Sequence, residues 1–370
     1  MWLHPDQHIL DSERLEMMPA IDLFTPVVDA STFHPNFKNI LHPSMAAERE
    51  ELARWIAGFF DRDNKFVKEF QTTFNSSFWE IYLCATLCAY GYKLDWIHAA
   101  PDFAVSSPYG DFVVEATTAN AAAGKTPEWM RRAPIGDLVT EQDFWPLNKE
   151  AMIRLSNAIL GKARKYSDSY SKLEHVKGKP FVVAIAPFEQ PDFQYQYDRP
   201  IRAVLYDYYV DEAAYRKNPE RYRDGPPGVS LGFVEKDNGA EVPLGIFLSE
   251  QYREISAVVF SCVATWGKVD ALTKNSRNFG TIHATWGGKP NGKPYATAHV
   301  RGQHVESIED GLQVFHNPNA SCPLDPRVFR RPGVVQHYYD TDTEDWVYEE
   351  VDACLHFRLV HSIRMTDEQQ

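Results

Sequence analysis

Three carboxylates stand where a folding chain rarely leaves one unsupported. Glu115 lies inside FVVEATT, an apolar run that follows a Pro-Tyr-Gly-Asp turn. A charge within a buried strand is costly unless it is paired or bound to a metal. Asp102 follows Pro101 at the start of the preceding apolar segment, DFAV. Glu80 is the only formally charged residue between Glu69 and Lys93, so it is isolated in a helix that reads as buried. Such a group shifts its pKa upward or finds a cation. Paired strands lie about 5 Å apart, so a hairpin carries Asp102 and Glu115 to one metal-sized site. Hard divalent ions such as Mg²⁺ or Mn²⁺ take a few carboxylates together with water and phosphate oxygens. An ion held this way lowers the pKa of a bound water and neutralises charge developing on a phosphate.

The elements that position these groups are legible in the flanking sequence. HPSMAAEREELARWIAGFF reads as a helix capped by Ser44, with Leu52, Trp55, Ile56 and Phe59 along one face. FNSSFWEIYLCATLCAYGY is apolar on nearly every side, as a helix buried within the domain must be, and Gly91 marks its stop. YKLDWIHAA, DFAV and FVVEATTA then read as strands, the last two paired as a hairpin around SSPYGD. Residues 120 to 147 contain three prolines and no sustained period, which suggests a long surface excursion of the kind that covers sites. A helix over KEAMIRLSNAILGKARKYSDSYSKL and a strand at PFVVAIAPF follow. This order predicts an α/β fold with a mixed central sheet flanked by helices. Beyond it come a helix at RAVLYDYYVDEAAYRK, a hairpin at KDNGAE, a strand at ISAVVF and a helix at KVDALTKN. The Gly-, His- and Pro-rich residues 280 to 370 resist assignment. The expected division is an N-terminal arm with helices over 1–68, a core over 69–190, and a C-terminal α+β extension over 191–370 that completes the core or packs on it.

A helical Glu, a Pro-Asp pair, a hydrophobic-hydrophobic-Glu-x-x strand, a long helix and another strand together resemble the PD-(D/E)xK nuclease superfamily, over residues 70 to 187. The resemblance implies a restriction-endonuclease-like core with a magnesium ion at the edge of the sheet. It also implies roles: Pro101-Asp102 as the PD pair, Glu115 as the (D/E), Glu80 as the helical acidic residue, and the Ala116 carbonyl as a further ligand. One position departs from the pattern, because Thr117 stands where the family has lysine. A hydroxyl bonds water or phosphate but supplies no positive charge to a pentavalent phosphate. Two repairs present themselves. In this family the lysine sometimes migrates, and Lys162 or Lys165 on the next helix is placed to substitute; alternatively, catalysis has been lost and the scaffold kept. Lys162, Arg164, Lys165, Lys172, Lys177 and Lys179 form a candidate phosphate-facing patch.

Each residue also has a plainer reading. Asp102 suits a turn carboxylate, Glu115 a sheet-rim residue, Glu80 the partner of an arginine, and the lysines a solvated helix face. His4 and His8 lack the intervening Glu of a zinc helix, and no nucleophile elbow or phosphate-loop spacing occurs. His316 and Asn317 read as parts of a rigid turn around Asn-Pro and Cys-Pro.

Composition bounds the rest. The 370 residues are 44% hydrophobic with 22 Phe, 18 Tyr and 9 Trp, a globular rather than disordered balance. Five scattered cysteines without a CxxC pair indicate neither a disulfide framework nor a zinc ribbon, and Cys84 and Cys88 read as core residues. A formal charge of −13 argues against coating of nucleic acid by the whole surface, though not against a local basic groove. No transmembrane helix or secretory leader is evident. The expectation is a cytoplasmic, bacterial, metal-dependent endonuclease or phosphodiesterase using Mg²⁺ or Mn²⁺, with nucleic acid as partner, DNA before RNA, no membrane partner, and a homodimer left open. Two rivals remain: an inactive scaffold of the same fold binding protein or nucleic acid, favoured by Thr117, and a small-molecule enzyme whose site lies under the 120 to 147 excursion.

Overall fold

The computed structural model describes residues 21–122, 124–130, 144–223, 225–288 and 293–363. Short helices α1 (Pro35–Ile40), α2 (Ala46–Trp55) and α3 (Phe66–Thr72) lead into α4 (Asn75–Ala89), then strands β1 (Lys93–Asp95), β2 (Phe103–Ser106) and β3 (Phe112–Thr118). Helix α5 (Trp145–Asp168) crosses to β4 (Phe181–Ala186). After it come α6 (Arg199–Tyr206), β5 (Tyr209–Val210), α7 (Glu212–Lys217), β6 (Gly228–Val229), β7 (Phe233–Glu235) and β8 (Glu241–Pro243). The rest is β9 (Ile255–Phe260), α8 (Trp266–Leu272), β10 (Phe279–Trp286), β11 (Tyr295–Val300), β12 (Leu312–His316), β13 (Val334–Asp340), β14 (Asp345–Glu350) and β15 (Leu355–Ile363).

Eight strands form one mixed sheet in the order β1-β2-β3-β4-β9-β12-β13-β14. The pairs β1/β2, β2/β3, β9/β12 and β13/β14 are antiparallel, while β3/β4, β4/β9 and β12/β13 are parallel. Every residue of the central strands β4 and β9 is buried, as strands covered on both faces require. Strands after residue 250 extend the sheet begun at residue 93, so the sheet runs across the boundary expected near residue 190. Helix α4 lies against β3 and β4, and its Trp79 indole donates to the Ala184 carbonyl at 3.0 Å. Helix α5 packs on the same two strands through Met152, Leu155, Ile159 and Ala163, all buried. The i, i+3, i+4 spacing of its apolar face thus sets which way its lysines point.

Several local expectations are corrected. Ser44 does not cap the first long helix, because its hydroxyl bonds His42 Nδ1 at 2.8 Å and α2 has no side-chain cap. The segment expected as one helix over residues 202 to 217 breaks at Asp207, held left-handed at φ 50°, where its carboxylate accepts the N–H groups of Leu231 and Gly232. Helix α5 ends at Asp168 rather than Leu173, and a 3-10 turn follows over Tyr170–Lys172. Cys88 is exposed, whereas Cys84 is buried. Gly91, at φ 76°, stops α4 as its position predicts, its N–H bonding the Cys88 carbonyl at 2.8 Å. His316 and Asn317 are structural: His316 bonds Gln336 at 2.8 Å, and Asn317 donates to the carbonyls of Tyr252 and Ile255.

A smaller sheet, β11-β10-β15, is tied to the main body by buried ions. The Glu306 carboxylate receives Lys268 from α8, Arg358 from β15 and His304, and the side chains of Lys268 and Glu306 are wholly buried. Arg301 bridges Glu48 of α2 at 2.6 Å and Asp270 of α8 at 3.0 Å. Among the described residues, no helix is long and apolar enough to cross a membrane.

Candidate functional site

The β2–β3 hairpin sets the geometry. Phe103 pairs with Val114, so Asp102 falls at the open end of β2, beside the middle of β3. There its Oδ2 accepts the Ala116 N–H at 2.7 Å. Glu115 projects from β3 on the face that α5 covers, and it is 1% exposed. The plainer reading of Glu115 as a rim residue therefore fails.

Glu115 is met by cations. Lys162 Nζ lies 2.7 Å and Lys165 Nζ 2.9 Å from Oε1, while the Tyr170 hydroxyl donates to Oε2 at 2.8 Å. Residues 162 and 165 are one turn apart on α5 at the border of its apolar face, which aims both stems at the same carboxylate. Tyr170 reaches it because α5 stops and the 3-10 turn carries the ring inward. Lys165 also lies 5.0 Å from the centre of that ring.

Like charges strain the cluster. Burial pushes Glu115 up, but Lys162 and Lys165 outweigh it and hold the carboxyl below its ordinary range. Burial, and then the charge on Glu115, push Asp102 up to about 6. Glu80, on α4, is raised well above its ordinary value by burial first and then by Asp102, against the pull of Arg62. Arg62 is itself anchored to the carbonyls of His98 and Pro101. The three predicted carboxylates thus lie within electrostatic reach of one another.

Thr117 projects on the same strand face as Glu115. With Ala116, Thr118 and Lys162 it lines an open cleft of about 610 Å³, whose opposite side carries Thr72, Thr73, Ser76 and His34. His34 is 6% exposed and its Nδ1 accepts the Asn36 N–H, while its Nε2 is buried with no partner among the described residues. Burial lowers His34 to about 4, so the ring is neutral at physiological pH. Trp129 stands at the rim and donates to Glu189 at 2.7 Å.

The remaining predicted groups are scattered or engaged. Lys172 bonds the Asp168 carbonyl, Lys177 pairs with Glu174, and Lys179 lies 3.5 Å from Asp111. Of the six basic residues, Lys162 and Lys165 are the two that the structure brings together, at Glu115. Of the 120 to 147 excursion, residues 131–143 lie outside the described residues, as do His4 and His8. Tyr170 and Arg62 were not anticipated. Tyr170 sits just beyond the two lysines, inside the stretch that the sequence pattern assigns to the helix, while nothing in DRDNKF signals that Arg62 returns to the Pro-Asp turn.

As the side chains stand, no group of three or more His, Cys, Asp or Glu among the described residues is arranged to hold a metal ion. Both oxygens of Glu115 are engaged by Lys162, Lys165 and Tyr170. The chemistry of the donors nevertheless suits a hard divalent cation: Asp102 and Glu80 are oxygen donors whose pKa values are raised first by burial and then by a neighbouring carboxylate, and Glu80 has no hydrogen-bond donor among the described residues. No family model, curated protein or solved structure matches this chain.

Proposed function

We propose that the chain is a metal-dependent phosphodiesterase that hydrolyses nucleic acid, DNA before RNA, on a PD-(D/E)xK nuclease-like core running from α4 to β4. The observation that carries this reading is the 2.7 Å contact between Lys162 and Glu115. It sets an ammonium from the following helix beside the acidic strand residue, supporting the substitution that Thr117 demands. Element order supports it too: one helix, three antiparallel strands, a crossing helix and a strand parallel to the third.

Asp102 and Glu115, with Glu80 and the Ala116 carbonyl, are the groups that would hold Mg²⁺ or Mn²⁺. Bound there, the ion supplies a water of lowered pKa and neutralises charge on the phosphate oxygens. Lys162 faces the cleft, where its ammonium stabilises negative charge growing on the phosphate. Lys165 and Tyr170 keep Glu115 ionised and fixed. Asp102, whose carboxyl is pushed up to about 6, would give up its proton on binding the ion. The hydroxyls of Thr117 and of Ser76 across the cleft donate to phosphate oxygens, whereas Thr72 and Thr73 already donate to the carbonyls of Lys68 and Glu69.

The experiment is cleavage of labelled single-stranded and duplex DNA and of RNA with Mn²⁺, by wild type and by Lys162→Ala. Cleavage that falls at least a hundredfold in the variant, with its melting temperature within a few degrees of wild type, supports the assignment. Equal rates in the two proteins refute it. A second reading, a non-catalytic scaffold of the same fold, is favoured by one observation: Glu115 is already neutralised by Lys162 and Lys165, as a structural ion cluster would be. It predicts no cleavage by wild type.

A further inference from the structure

A second cavity, of about 420 Å³, shares Trp129 with the cleft beside Thr117. The wall between them is a hydrogen-bonded row. Trp129 and Asn75 both donate to Glu189, at 2.7 and 2.8 Å, and Asn36 donates to Asn75 at 3.2 Å. Flat rings line the cavity: Phe74, Phe78, Trp129 and Trp266. Between them stand the amides of Asn36 and Asn39. Asn36 gives one N–H to Asn75, which leaves its carbonyl oxygen available to an incoming donor.

Two features of this cavity are unexplained by the fold alone. The Trp266 indole N–H is buried within the wall without an acceptor among the described residues, although buried donors in folded proteins are nearly always paired. Phe74, at the start of α4, is held at φ 36° and ψ −65°, a region that L-residues enter only when the surroundings force it. Such outliers concentrate at ligand sites. The strained turn directs Phe74 and the first turn of α4 toward Trp266, with ring centroids 6.5 Å apart.

We infer that this cavity receives a nucleobase. Its volume lies in the range of small-ligand sites. Aromatic walls bind any base through its flat face. The rim offers what a base edge needs: the amides of Asn36 and Asn39, a side chain that pairs with the edge of adenine. An apolar ligand of the same size would leave the amides unpaired. A base within a duplex hides its faces in the stack, so the occupant is an unpaired or everted nucleotide. The shared Trp129 turns its phosphate toward Thr117 and Lys162. That last step rests on the proposed phosphodiesterase reading, whereas base capture needs neither metal nor hydrolysis.

The test is quenching of tryptophan fluorescence, without metal, by the free nucleosides, by a mixed-sequence ten-nucleotide single strand and by its duplex. The inference predicts that the single strand binds at least tenfold tighter than the duplex. It predicts that Trp266→Leu, which removes a stacking ring, and Asn36→Ala each weaken single-strand binding about tenfold, with melting temperatures near that of wild type. Nucleosides that bind as tightly as the strand identify a free nucleotide as the occupant, and nucleosides that bind more weakly identify the polymer. Equal affinity for strand and duplex, or unchanged affinity in both variants, overturns the inference. Base binding without cleavage refutes only the hydrolytic reading, and cleavage without variant-sensitive base binding refutes only the inference.

Discussion

Asp102→Asn should stabilise this protein while removing a group proposed for its chemistry. The substitution preserves shape and an oxygen able to accept the Ala116 N–H, and deletes the charge that burial and Glu115 oppose. The gap between about 6 in the folded chain and the ordinary value of 3.8, at about 1.4 kcal/mol per unit, corresponds to about 3 kcal/mol. The sign follows from linkage: a raised carboxyl pKa means that the folded state holds the proton more tightly. Its contribution is complete below about pH 4 and is lost as pH rises through 6. The variant should therefore match wild type near pH 4 and exceed it by up to about 3 kcal/mol at pH 8. For a chain of this size unfolding as one unit, that is about 4 °C in melting temperature. Thermal melts from pH 4 to 8 read it directly, and added Mn²⁺ should raise wild type more than the variant. A variant less stable than wild type at pH 8, or a difference independent of pH, would refute the electrostatic account of the site.

Other expectations follow from the same geometry. Glu306→Gln leaves the buried Lys268 and Arg358 without a counter-charge and should cost about 3 to 5 kcal/mol, read by chemical denaturation. Tyr170→Phe removes one donor to Glu115 and should cost about 1 to 3 kcal/mol by the same method. Thr117→Lys places an ammonium in the cleft that Lys162 already faces, so it should restore part of the cleavage lost in Lys162→Ala; a double variant as inactive as the single one would show that Lys162 does not serve as the missing lysine.

The hairpin and its acidic residues were legible because alternation and turn chemistry are local signals. Pro-Tyr-Gly-Asp between two apolar runs fixes the pairing, and the pairing sets Asp102 beside Glu115. Lys162 and Lys165 were legible for a similar reason, since an i, i+3 pair on a crossing helix must face one side. Tyr170 was hidden by a helix end that no Gly or Pro marks; the chain leaves the helix at Ser169 through tertiary contacts. Arg62 was hidden by distance, because its partners at His98 and Pro101 lie far along the chain. The last ninety residues resisted reading because β10, β11 and β15 form a thin sheet with one exposed face, carrying His and Thr where a clean apolar alternation would announce a strand. The 420 Å³ cavity depends on α1, α4, α8 and β15 converging, which no local pattern encodes.

The central claim is that the crowded carboxylates accept a divalent cation. Calorimetric titration of Mn²⁺ into wild type and into the Asp102→Ala, Glu115→Ala double variant tests it most directly. The account predicts one saturable site in wild type, with proton uptake by the buffer as Asp102 and Glu80 ionise, and no site in the variant. Absence of binding to folded wild type, or equal binding by both proteins, would contradict it.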